Sequence, residues 1–161
     1  MVHPMVRQSA IRIIVDDLQG PEIVALLHRH LEHMREITPA ESVFALDLES
    51  LRAPGITFWT AWEGDELLGC AAMKDLGDSS GEIKSMRTDE QHLGKGVASH
   101  LLQHLLDEAR LRNYRKLLLE TGSFAEFEPA RALYEKYGFV YRGPFGDYRE
   151  SKNNVFMERE I

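Results

Sequence analysis

The chain has 161 residues, the span of one ordinary domain, with 43% hydrophobic and 28% charged residues, a balance that folds around a core in water. Its 26 acidic against 19 basic residues give a formal charge of −7, which argues against a general affinity for nucleic acid or for anionic membranes. An acidic surface agrees with a cationic amine as substrate, although it serves solubility in any case. No stretch approaches the ~18 apolar residues that span a bilayer, and Met1–Gln8 lacks an apolar core of signal-peptide length. Cys70 is the only cysteine, so no intramolecular disulfide forms and a reducing, cytoplasmic setting is expected.

No repeat, low-complexity tract or linker interrupts the sequence, so a single domain over residues 1–161 is expected. Ile11, Ile13 and Val15 alternate as in a first strand, and Gly20-Pro21 ends it. Ile23, Leu26, Leu27, Leu31 and Met34 recur at helical spacing over Glu22–Arg35, Thr38-Pro39 breaks that helix, and a short second helix is predicted over about Glu41–Leu48. Ile56–Trp62 and Leu67–Lys74 flank Glu63-Gly64-Asp65-Glu66 as a β-hairpin. The small apolar run holding Cys70 reads as a buried strand, so its thiol is structural and not a nucleophile.

Glu82–Thr88 reads as a further strand, and Val97, Ala98, Leu101, Leu102, Leu105, Leu106 and Ala109 mark a long amphipathic helix. Leu117-Leu118-Leu119 suits a strand covered on both faces. Pro129 opens a helix whose stripe is Ala130, Leu133, Tyr134 and Tyr137, and Gly138 closes it. Phe139–Tyr141 and Val155–Glu158 supply two closing strands. The order β-α-α-β-β-β-α-β-α-β-β indicates a mixed α/β fold instead of repeated βαβ units.

The segment from Glu82 to Ala98 carries the chemistry. A strand ends near Thr88, a turn bearing Gly94 and Gly96 follows, and a long helix starts at once. The first amides of a helix lack intrahelical partners and sit at the positive end of its dipole, so they form an anion site suited to a pyrophosphate. Glycine permits close approach of phosphate to backbone, and Lys95 and His92 add positive charge at the rim. A Walker-type loop is excluded because Asp89 stands where that pattern needs glycine. A dinucleotide fingerprint meets Gly94-x-Gly96 and an acid at Glu120, but Ser99 replaces the third glycine and the motif lies in mid-chain.

Gln91-His92-Leu93-Gly94-Lys95-Gly96 resembles the signature of the GCN5-related N-acetyltransferase (GNAT) superfamily: Arg or Gln, two residues, Gly, one residue, Gly or Ala. Ala130-Arg-Ala-Leu-Tyr134, followed by Gly138-Phe139, resembles its second element. The resemblance covers roughly residues 9–160. Glu120-Thr-Gly-Ser123, Gly143–Tyr148 and Asn154–Met157 are similar to the YsnE-like branch of bacterial acetyltransferases.

The resemblance implies a GNAT fold with two splayed central parallel strands and acetyl-coenzyme A as co-substrate, without a metal. It implies that the pantetheine pairs with the backbone near Met86 and Thr88. The diphosphate would rest on the amides from Gln91 to Ala98, and so on His92, Gly94, Lys95, Gly96 and Val97. Leu93 stands where members often carry a basic residue. Phe127 takes the place, beside the cofactor, of an Asn that many members carry. The acceptor would be a primary amine of a small molecule or peptide. Glu82, four residues before Met86, is the candidate base and Tyr134 the candidate acid, a phenol having a pKa close to that of a thiol. A module that binds coenzyme A without turnover is the first alternative, and a dinucleotide-binding enzyme the second.

Other signals are read as structural. His100 and His104 lie four apart without the acid of a zinc-protease motif, and both are expected on a solvated face. His33 is a candidate for the substrate pocket. Trp59 and Trp62 are assigned to core and rim. Tyr148 and Arg149 are candidates to contact either substrate or the second subunit of a homodimer.

Overall fold

A computed structural model of the chain describes residues 10–34 and 48–161. The elements run β1 (Arg12–Val15), α1 (Pro21–Met34), β2 (Ile56–Glu63), β3 (Glu66–Asp75), β4 (Ser80–Thr88), α2 (Val97–Leu111), β5 (Lys116–Gly122), α3 (Glu128–Lys136), β6 (Val140–Arg142) and β7 (Asn154–Glu160). Apart from the predicted second helix, the expected order is present among the described residues. The predicted second helix falls mostly outside the described residues, which resume within a helical turn at 48–51. The side chain of His33 lies outside them as well.

The strands form one mixed sheet of seven, in the order β1-β2-β3-β4-β5-β7-β6. The strand β1 pairs antiparallel with β2, and β7 pairs antiparallel with both β5 and β6. The expected parallel pair is β4 and β5, in a ladder that joins Ser80–Ile83 to Lys116–Leu119. Beyond it β4 continues to Thr88 and β5 to Gly122.

The chain divides into two compact units: residues to Ala72 with Ser85–His104, and Met73–Lys84 with Leu105–Ile161. In the first, Leu18, Ile23, Leu26, Leu27, Phe58 and Cys70 belong to one core cluster, on which Trp62 packs half-buried. Ile23, Leu26 and Leu27 of the stripe read over α1, with Leu31 packed against them, thus face that core, because 3.6-residue periodicity gathers those positions on one side. The strand β3 is buried at consecutive positions from Leu67 to Met73, as a strand covered on both faces should be. Burial pushes the Cys70 thiol up to about 12, and the thiol donates to the Ser85 carbonyl at 3.3 Å, so the structural reading of this cysteine holds.

In the second unit, Leu117, Leu118 and Leu119 are all buried, as are Phe156 and Met157 of β7, which fits the apolar run that marked β5. Helix α3 ends as its sequence prescribes. Gly138 has φ +91°, its amide donates to the Glu135 carbonyl, and the Phe139 amide donates to the Tyr134 carbonyl, each at 3.0 Å. These are the two bonds of a Schellman cap, with Tyr134 and Phe139 as its apolar contact.

The two histidines of α2 depart from expectation. Both are half-buried: His100 Nδ1 lies 2.9 Å from the Gly96 carbonyl, and the His104 ring meets Trp59 edge-on at 5.1 Å. The helix is wider in its buried stripe than its leucines alone suggest, because a buried tryptophan attracts an aromatic edge.

Gly69 is the most closely packed of the described glycines in the first unit. A Cβ there would overlap the Arg87 carbonyl oxygen and lie 3.1 Å from Val97 Cγ1 and 3.3 Å from Leu101 Cδ1. A backbone oxygen cannot move aside as a side chain can. Gly69→Ala should therefore lower the unfolding free energy by about 1–3 kcal/mol, the usual cost of overpacking, read as a lower urea midpoint at unchanged slope.

Candidate functional site

The first unit supplies the turn between β4 and α2. Asp89 organises it: its amide donates to the Leu68 carbonyl at 2.8 Å, and its carboxylate accepts the Gln91 amide at 3.0 Å. Its carbonyl accepts the His92 amide at 2.9 Å, which makes Glu90–His92 one turn of 3-10 helix. Arg29 of α1 closes on the same carboxylate at 3.2 Å. The amides of Gln91 and His92 are thus occupied within the protein.

The donors that follow are of another kind. Gly94 and Gly96 have φ +80° and +81°, a left-handed conformation that costs other residues roughly 1–2 kcal/mol. The His100 amide donates to the Gly96 carbonyl at 3.1 Å, which is the first i to i−4 bond of α2. Amides before it, from Val97 onward, are those a helix cannot satisfy itself. A glycine-bearing turn leading into these amides fits a diphosphate, so the residues present suit the cofactor that the sequence implied.

Charge at this turn is arranged differently from expectation. His92 is only 7% exposed, with Nε2 3.1 Å from the Glu66 carboxylate and Nδ1 2.9 Å from Lys95 Nζ. A lysine ammonium only donates, so Nδ1 must accept and Nε2 carries the proton given to Glu66. The ring therefore buttresses the turn and adds no charge at a rim; its burial between two charged side chains explains the difference. The cation there is Lys95. Leu93 stands 65% exposed. Beside the turn lies a cavity of about 570 Å³ bordered by Leu26, Arg29, His30, Arg87, Thr88 and Gln91.

Met86 and Thr88, on the outgoing half of β4, are half-buried. Just before them Ser85 has φ +51°, a left-handed residue inside a strand that re-aims the residues after it. Sequence gave no sign of this break, since serine carries no preference for that conformation.

The second unit holds the two proposed proton-transfer groups. Glu82 is 4% exposed. Its Oε2 accepts the Tyr148 hydroxyl at 2.5 Å, with Lys84 Nζ 4.0 Å from the same oxygen. Burial, and then the hydrogen bond to Glu82, raise the Tyr148 phenol well above its ordinary range, so the phenol keeps its proton and donates it. Tyr148 and Glu82 stand 66 residues apart, so no local pattern announced the pair, and the sequence offered Tyr148 only as a contact to substrate or a second subunit. Arg149 is exposed.

Tyr134 is buried at 6% exposure, its ring edge-on to Phe139 at 5.7 Å. Phe127 caps α3 from a 3-10 turn, and its ring lies so close over Gly122 that any Cβ there would overlap it. Phe127 is thus packed on the end of β5 and offers no polar group. Arg131 instead donates to the Gly122 and Phe124 carbonyls at 2.7 and 3.0 Å and fixes this loop.

Comparison with known proteins agrees with these features. Residues 21–139 match the model of the acetyltransferase (GNAT) family. The N-acetyltransferase YsnE of Bacillus subtilis, itself uncharacterised, is 56% identical over 149 residues, spanning 92% of this chain and 99% of its own. A crystal structure assigned as an acyl-CoA N-acyltransferase, from Klebsiella pneumoniae, superposes with a TM-score of 0.77 at 29% identity, over 93% of this chain and 97% of its own. A Bacillus subtilis acetyltransferase solved in complex with CoA shares the fold, with a TM-score of 0.70 at 20% identity over 94% and 99% of the two chains. With the glycine-bearing turn, the parallel pair β4–β5 and the capped helix of Tyr134 in place, the chain belongs to the GNAT family of N-acetyltransferases.

Proposed function

We propose that the protein moves the acetyl group of acetyl-coenzyme A to a primary amine of a small molecule or peptide, by direct attack of the amine on the thioester. The observation that carries this reading is a carboxylate, Glu82, buried on β4 with one oxygen committed to a phenol. Isolated charges are expensive to bury, and a glutamate with no chemical duty would be replaced at little cost by an apolar side chain.

The amides from Gly94 to Ala98 would hold the diphosphate, with Lys95 as the neighbouring cation and Met86 and Thr88 offering backbone to the pantetheine. An amine with a lysine-like pKa near 10.4 arrives protonated at neutral pH, so Glu82 serves as base. As the C–N bond forms and the C–S bond breaks, Tyr134 would give its proton to the departing thiolate, and the second N–H proton shed by the nitrogen as the amide forms would restore the phenol. The Schellman cap favours this role, because it fixes the tyrosine through its own backbone carbonyl.

Release of free thiol from acetyl-coenzyme A is the measurement, run across amino acids, alkylamines, polyamines and short peptides. Uptake of coenzyme A in calorimetry without thiol release by any amine would mark the protein as a binding module. With the best acceptor, Glu82→Gln should lower kcat by about 100-fold or more, the usual contribution of a positioned base, and leave coenzyme A affinity unchanged. An undiminished kcat would remove Glu82 from the reaction.

The turn makes a separate prediction. Gly96→Ala forces alanine into a left-handed conformation costing roughly 1–2 kcal/mol, so coenzyme A affinity should fall by about tenfold. Calorimetry that finds equal affinities would show that this turn does not hold the diphosphate.

A further inference from the structure

Glu82 presents a difficulty as a base that touches its substrate. Its side chain is 5% exposed, and the oxygen with assigned partners, Oε2, faces Tyr148 and Lys84. A protonated amine would have to displace one of these to reach it. Tyr148 is half-buried, so it touches both the carboxylate and the outside.

Tyr148 is also firmly placed. Its ring packs on Phe145 and Phe156 at centroid distances of 5.1 and 5.5 Å, and its amide donates to the Phe145 carbonyl at 3.1 Å. The far end of its loop is tied to the end of β5, where the Ser123 amide donates to the Asn153 carbonyl at 3.1 Å and the Ser123 hydroxyl to the Lys152 carbonyl at 2.5 Å. Five aromatic and polar anchors on one loop are more than a surface tyrosine needs.

We propose that Tyr148 is the residue that takes the proton from the acceptor amine, passing its own phenolic proton to Glu82 in the same step. This rests on the reading of Glu82 as the base. The N–H bond of the ammonium breaks and its proton goes to Tyr148 Oη, while the phenolic O–H breaks and that proton goes to Glu82 Oε2. The electron pair left on nitrogen attacks the thioester carbon. Tyr148 is neutral before and after, and Glu82 carries the proton until it is released to solvent. The raised phenol pKa suits this sequence, because a free phenolate never has to form. Lys84 and Glu120 are the charged neighbours of the pair.

The test is a cycle of Glu82→Gln, Tyr148→Phe and the double variant, assayed at neutral pH with acetyl-coenzyme A and the best amine of the panel. Tyr148→Phe keeps the ring and removes only the hydroxyl. It should lower kcat by about 100-fold, as Glu82→Gln does, leave KM for acetyl-coenzyme A unchanged, and add nothing in the double variant, because groups in one relay fail together. The N-hydroxy analogue of the acceptor, a weak base that arrives unprotonated, should be turned over by Tyr148→Phe within a few fold of the parent enzyme. An equal loss with both acceptors would mark the defect as structural and overturn the relay. A Tyr148→Phe enzyme of full kcat beside a crippled Glu82→Gln would overturn the relay alone and leave Glu82 in direct contact. Full activity in Glu82→Gln, or no turnover with any amine, would overturn the relay together with the reading beneath it.

Discussion

Keeping a carboxylate out of water is the most demanding arrangement in the second unit, and its neighbourhood is organised around that demand. An ionised carboxylate loses several kcal/mol of hydration on burial unless donors replace the water. Glu82 receives a phenol at 2.5 Å and an ammonium at 4.0 Å. The first of these is delivered by a loop from the other end of the chain, which must in turn be held. Phe145 and Phe156 wall the tyrosine ring, and Ser123 ties the loop to β5. Remove the carboxylate from the sequence and none of these contacts has an evident purpose.

The turn of the first unit obeys a different economy of donors. Asp89 consumes the amides of Gln91 and His92 in order to build one 3-10 turn, and His92 is spent as a neutral strut between Glu66 and Lys95. What the turn then presents is backbone: two left-handed glycines and the opening amides of α2. With Leu93 exposed, a diphosphate held here on the proposed reading would lean on the helix dipole and oriented N–H groups more than on side-chain charge.

Periodicity made most of the fold legible. The stripe of α1, the alternation of β1, the leucine run of β5 and the Gly138 stop each reflect local physics, and each element stands where its residues place it to within about two positions. The glycine-bearing turn and the Tyr134–Phe139 cap were legible for the same reason, since both are local motifs. Partners distant in sequence were not. Tyr148 and Glu82 are 66 residues apart, Glu66 and His92 are 26 apart, and the pairing of His104 with Trp59 needs the helix seated on its strand. Ser85 is a case of another kind: nothing in a serine announces φ +51°, which only the surrounding strand can impose.

The division of roles between tyrosines follows from how each is held. Tyr134 is fixed by its own backbone, because the carbonyl of that residue closes the Schellman cap and its ring completes the cap's apolar contact. Rotation of such a ring is restricted whatever the substrate. Tyr148 is fixed by its side chain, through a hydroxyl bonded to a carboxylate and a ring walled by phenylalanines. A hydroxyl whose hydrogen already points at a base has its lone pairs turned toward any donor that approaches. On the proposed reading a phenol in that state receives a proton, and Tyr134, held rigid by the cap, gives one. On that reading two residues of one type take opposite tasks according to what surrounds them.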